Sequence, residues 1–128
     1  MSDSSNEAIL EKQLMMTPVT WKTLQTHGVT DATPLLLDLF WFAATEDNAR
    51  ALASSLTGQV TTSPTVGPIQ DRWAIEAQYG PQSFTLDTLR YLVKQMCKLG
   101  FSHQCEFDGW SAQIPGSAAK SKPWWKLW

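Results

Sequence analysis

Residues 35–42, Leu-Leu-Leu-Asp-Leu-Phe-Trp-Phe, constrain the fold more than any other stretch of this chain, because the run is apolar throughout except at Asp38. A strand that is apolar on both sides belongs in the middle of a sheet, where neither face is fully wet. Side chains alternate across a strand, so Leu35, Leu37, Leu39 and Trp41 share one face while Leu36, Asp38, Phe40 and Phe42 share the other. Such a strand needs neighbours on both sides and helices over at least one face.

The flanking sequence supplies them in a definite order. Thr45 is placed to cap a helix whose first turn carries Glu46 and Asp47, where carboxylates suit the helix dipole; Ala49, Leu52, Ala53 and Leu56 form its buried stripe, and Gly58 ends it. Residues 59–63 read as a short polar strand, and Pro64, Gly67 and Pro68 as the turn that follows. Residues 69–79 alternate clearly, with Trp73, Ile75, Ala77 and Tyr79 on one side and Arg72, Ala74, Glu76 and Gln78 on the other, until Gly80-Pro81 breaks the strand. A second helix over 85–99 buries Leu86, Leu89, Leu92, Val93, Met96 and Leu99 and stops at Gly100, and residues 102–107 make the last strand. The order β-α-β-β-α-β predicts an α+β fold of the ferredoxin-like split βαβ type: a four-stranded antiparallel sheet, first and third strands central, both helices on one face. N-terminal helices precede it. Residues 1–16 read as a helix or extension, and Thr17-Pro18 as the cap and first position of a new short helix carrying Trp21 and Leu24 to Gly28.

The chain has 128 residues, 43% of them hydrophobic, enough for one modest core. The organisation expected is therefore a domain over 17–115, the N-terminal extension, and a linker and tail over 116–128. Formal net charge is −2; with Lys120, Lys122 and Lys126 in the tail, the rest of the chain sets seven basic residues against twelve acidic ones, a net of −5. An acidic body argues against direct nucleic-acid binding. Cys97 and Cys105 match no zinc or redox spacing and read as buried, reduced thiols. The first residues lack the pattern of a signal peptide, and no run reaches the roughly 20 apolar residues that span a bilayer, so a cytoplasmic protein is expected.

The closing stretch Glu106-Phe107-Asp108-Gly109-Trp110 is the sharpest motif. It reads as a turn, with Asp108 bonding backbone amides, Gly109 taking φ > 0 and Trp110 packing the turn down. Together with Trp21-Lys22-Thr23-Leu24 and Gly28, with Phe40-Trp41-Phe42-Ala43, and with Ala49-Arg50-Ala51-Leu52-Ala53, it resembles the RraB family, named for regulators of ribonuclease E activity. The resemblance covers roughly residues 21–114. It implies a ferredoxin-like fold and, by likeness to the named members, a non-catalytic protein that binds an endoribonuclease and restrains RNA cleavage. Those members end in a strongly acidic tail, whereas this chain ends Lys120-Ser121-Lys122-Pro123-Trp124-Trp125-Lys126-Leu127-Trp128.

Catalytic signals are weak. His27 and His103 sit at element ends without a nucleophile or metal partner in the pattern. Asp38, Glu76, Glu106 and Asp108 could gather across strands as a cation site or an acid/base pair, but a solvated or partner-facing carboxylate surface is the plainer reading. Arg90, Lys94 and Lys98 recur one turn apart beside Tyr91 and read as a solvated helix face, phosphate contact being the sharper alternative. No cofactor and no metal are implied. The face bearing Leu36, Asp38, Phe40 and Phe42 needs a cover once both helices lie on the other side, and the N-terminal helices, a second copy or a protein partner could provide it. With Glu76, Glu106, Asp108 and Trp110 these residues form the expected partner surface, and a homodimer through the same face is a second use of it. An RNA- or small-ligand-binding domain of the same architecture is the alternative reading, with an enzyme behind it. Trp124, Trp125 and Trp128 are expected to dock back on the domain or on an identical neighbour, since their burial offsets the ordering of a short segment.

Overall fold

The computed structural model describes residues 2–61 and 63–113, with side chains from Asn6 onward. Seven elements follow in order: α1 (Ser2–Thr26), β1 (Pro34–Ala43), α2 (Glu46–Leu56), β2 (Thr65–Ile69), β3 (Arg72–Ser83), α3 (Leu86–Ser102) and β4 (Cys105–Gln113). The fold is α+β. The strands form one open antiparallel sheet in the order β2-β3-β1-β4, so the first and third strands are central, as the split βαβ order requires.

Burial along β1 alternates strictly. Leu35, Leu37, Leu39, Trp41 and Ala43 are buried under the helices, and Leu36, Asp38, Phe40 and Phe42 are half-buried on the opposite, open face. Against the first set α2 lays Ala49, Leu52 and Leu56, and α3 lays Leu89, Leu92, Val93, Met96 and Cys97. Both helices start at the caps the sequence indicates: Thr45 accepts from the Asn48 amide at 3.2 Å, and Thr85 forms a reciprocal capping box with Thr88. Trp41 and Phe107 meet edge to face at 5.3 Å in the middle of this core.

Four boundaries depart from the sequence reading. The first is α1, one continuous helix with Pro18 inside it rather than two pieces. A proline in a helix interior removes a donor and crowds the preceding turn, at a cost of about 3 kcal/mol. Here a single stripe of buried residues, Gln13, Thr17, Trp21 and Leu24, runs past the proline and packs on α3 and β4, and Thr17 Oγ1 donates to the Gln13 carbonyl at 2.7 Å. Packing overrides the local signal.

The second is β2, which lies at Thr65–Ile69 and not at 59–63. It pairs with β3 across a two-residue turn, Gln70-Asp71, in which Gln70 has φ 55°. Pro64, Gly67 and Pro68 suggested a turn, but an outermost strand tolerates a residue without an N–H, so Pro68 sits inside β2 opposite Trp73. The stretch expected as strand touches the sheet at Thr61, whose amide donates to the Gln78 carbonyl and whose hydroxyl donates to that of Gly80.

The third is the Gly80-Pro81 pair, a cis peptide, which does not end β3. The strand bulges there, Leu35 facing Gln82 and Leu37 facing Tyr79, and Gly80 is required because a Cβ would lie 2.7 Å from the Leu35 carbonyl oxygen.

The fourth concerns the end of the chain. Gly100 does not stop α3, which continues to Ser102 with His103 at its C-cap. Nor do Asp108, Gly109 and Trp110 form a turn: β4 runs through them to Gln113. Phe40 faces Gly109 and Trp41 faces Phe107, so Asp108 is the extra residue of a β-bulge, and Gly109 at φ 144° supplies the backbone shape.

Candidate functional site

The open face of the sheet is built from the side of β1 that the helices leave. Strand register places Gln78 and Ser111 on either side of Asp38, Glu76 and Gly109 on either side of Phe40, and Ala74 and Glu106 on either side of Phe42; Gln113 stands across from Leu36. The carboxylate of Asp38 is held from both directions. Gln78 Nε2 donates to Oδ1 at 2.9 Å, while Gln113 Nε2 at 2.7 Å and Ser111 Oγ at 3.3 Å donate to Oδ2. An acid in the central strand thus has its oxygens engaged by neutral donors from β3 and β4, which is how a half-buried charge is made tolerable. Beyond it Arg72 lays its guanidinium 4.1 Å from the centre of the Phe42 ring.

Glu76, Glu106 and Asp108 are exposed around this stripe, while Leu36, Phe40 and Phe42 are half-buried within it. The eight residues expected to act together do not all meet. Seven belong to this face or its margin; Trp110 does not, because it pairs with Leu39, is 7% exposed and donates its indole N–H to Thr17 Oγ1 of α1 at 3.5 Å. Its work is to hold α1 against β4. The carboxylates do not converge either: among the described residues no three acidic, His or Cys side chains are grouped to hold a metal ion.

On its β4 side the face runs into a groove of about 280 Å³ between α1 and β4. Ile9, Lys12, Met16 and Thr20 form the helix wall, and Phe40, Glu106, Asp108 and Gly109 form the sheet wall. The helix follows the strand, Gln13 Nε2 reaching the Phe107 carbonyl at 3.5 Å before Thr17 meets Trp110. Reading the sequence alone misses this wall, because it follows from the helix continuing through Pro18. It also misses Gln78, Ser111 and Gln113; the one available signal was Asp38 itself, a charge in an apolar strand that must find donors.

The remaining candidates lie apart from this face. His27 Nδ1 lies 2.9 Å from the Thr23 carbonyl at the end of α1, and His103 caps α3. Cys97 and Cys105 are free and buried, and burial pushes their thiols up to about 12 and about 11, the reverse of an activated nucleophile. Arg90, Lys94 and Lys98 are exposed on α3, as is Tyr91. Trp124, Trp125 and Trp128 lie outside the described residues. Among the described residues no helix is long and apolar enough to cross a membrane. In comparisons with known proteins, no family model and no curated protein matches the chain.

Proposed function

We propose that the protein is a non-catalytic regulator that binds a protein partner through the open sheet face and, as in the RraB-type regulators it resembles, restrains RNA cleavage by an endoribonuclease. The observation that carries this reading is the face itself: an apolar stripe of Leu36, Phe40 and Phe42 in the central strand, rimmed by Glu76, Glu106 and Asp108, with the Arg72 guanidinium over Phe42. Half-covered aromatic side chains inside a charged rim are the composition of a docking surface, where burial supplies affinity and the rim supplies orientation and rate. An acidic rim repels phosphate and favours a basic partner surface, so the substrate RNA is not its target. The engaged Asp38 serves as a fixed polar landmark in the stripe.

The test is a cleavage assay with purified endoribonuclease and a defined RNA. Added protein should slow cleavage in proportion to complex formation, and Glu76→Lys with Glu106→Lys should abolish both while leaving the fold intact. Unchanged cleavage together with tight binding of the RNA by the protein alone would support a nucleic-acid-binding domain instead. Dimerisation through the same face would be seen as sedimentation that depends on concentration and is lost with the same variant.

A further inference from the structure

We infer that the groove between α1 and β4 is the docking site of this chain's own C-terminal segment, Lys120 to Trp128. The inference goes beyond the proposed function, whose partner face shares Phe40, Glu106 and Asp108 with this groove. Three of the exposed large apolar side chains lie on α1: Met15, Met16 and Val19 are 69%, 52% and 66% exposed, and of these Met16 lines the groove. Methionine adapts its shape to flat aromatic partners and makes favourable sulfur contacts with them. Exposed apolar side chains grouped on one helix need an explanation.

Three features of the chain identify the occupant. The first is chemistry. The segment Lys120-Ser121-Lys122-Pro123-Trp124-Trp125-Lys126-Leu127-Trp128 is aromatic and cationic, whereas the sheet wall carries Glu106 and Asp108. The helix wall opposes them with a single cation, Lys12, so the groove's charge favours lysine. The second is reach. Gln113, where the described residues end, lies across from Leu36 on the same sheet, and β4 leads from it back to Trp110 and Glu106, about 10 and 24 Å away at roughly 3.4 Å per residue. Trp124 is eleven residues beyond Gln113 and has a span of about 36 Å. The third is tethering. A short linker holds its end at millimolar effective concentration, so even a weak contact is populated within one chain before a second molecule competes.

The experiment uses the full-length protein and two-dimensional NMR of the seven tryptophan indole N–H groups, assigned by single substitution. Those of Trp124, Trp125 and Trp128 should lie away from random-coil positions. Met16→Glu combined with Glu106→Lys and Asp108→Lys should return them there while Trp21 and Trp41 stay in place. In the converse variant, with Trp124, Trp125 and Trp128 all replaced by serine, amides of residues 106–110 should exchange at least tenfold faster with an unchanged circular dichroism spectrum. Tail indoles at random-coil positions in the parent protein, or displaced indoles insensitive to the groove substitutions, would overturn the inference. So would displacement that appears only on raising protein concentration, which means a second copy, or only on adding phosphatidylglycerol vesicles, which means a lipid surface.

Discussion

Replacing Gly100 by alanine should destabilise the protein, against the usual behaviour of a glycine in a helix. In a solvent-facing helical turn the change would add about 0.8–1 kcal/mol of stability. Gly100 instead faces Trp41, the largest fully buried side chain. A Cβ at this position would stand 2.8 Å from Trp41 Cδ1, 3.1 Å from its Nε1 and 3.1 Å from the Cys105 carbonyl oxygen. The indole has little room to retreat, since its N–H donates to the Met96 carbonyl at 3.1 Å and its ring meets Phe107. Overpacking a dense core costs about 1–3 kcal/mol, and losing the indole hydrogen bond adds about 1 kcal/mol. After the helix gain, a net loss of about 1–3 kcal/mol remains, equivalent to a fall in Tm of about 5–10 °C for a chain of this size. Urea denaturation followed by near-ultraviolet circular dichroism measures it. Trp41→Val removes the clashing atoms, so the two substitutions should be less costly together than the sum of each alone. A Gly100→Ala protein more stable than the parent would refute the reasoning.

Gly109→Val should also destabilise, by about 1–3 kcal/mol, and through the backbone alone: a Cβ there meets nothing within 4 Å, but φ 144° is poorly accessible to a β-branched residue. Parent-like melting would show that the bulge relaxes without cost. Asp38→Leu should lose about 1–3 kcal/mol in chemical denaturation by stranding the Gln78 and Gln113 amides, with Asp38→Asn losing less; equal losses would mean the hydrogen bonds do not matter. The thiol of Cys97, raised from 9.0 to about 12, stays protonated in the fold while the unfolded chain ionises. Its contribution is therefore complete below pH 9 and declines as pH rises from 9 towards 12, and Cys97→Ala should flatten that part of the stability profile in urea titrations.

Much of the framework was legible because its signals are periodic. The alternation in β1 and β3 and the stripes of α2 and α3 each bury one side, and periodicity reports burial directly. What misled were residues read for their local preference. Pro18, Pro68, Gly80, Gly100 and Gly109 all suggest interruption, and all five sit inside a helix or strand. Each is there for a reason that lies elsewhere in the molecule: packing on both sides of Pro18, an outermost strand at Pro68, a carbonyl against Gly80, an indole against Gly100, an extra residue beside Gly109. The open face was legible as a list of β1 residues. Its polar partners were not, since Ser111 and Gln113 lie beyond the supposed turn and only the strand register brings them to Asp38.

The course of α1 along β4 bears on solubility. A sheet with an apolar open face risks growing by strand addition, one molecule hydrogen-bonding to the margin of the next. At one margin Gln13 takes up the Phe107 carbonyl and α1 shields the strand; at the other, β2 offers Pro68, which has no N–H to give. Both lateral routes are thereby hindered. An apolar sheet face can thus stay partly exposed without inviting strand addition at its margins.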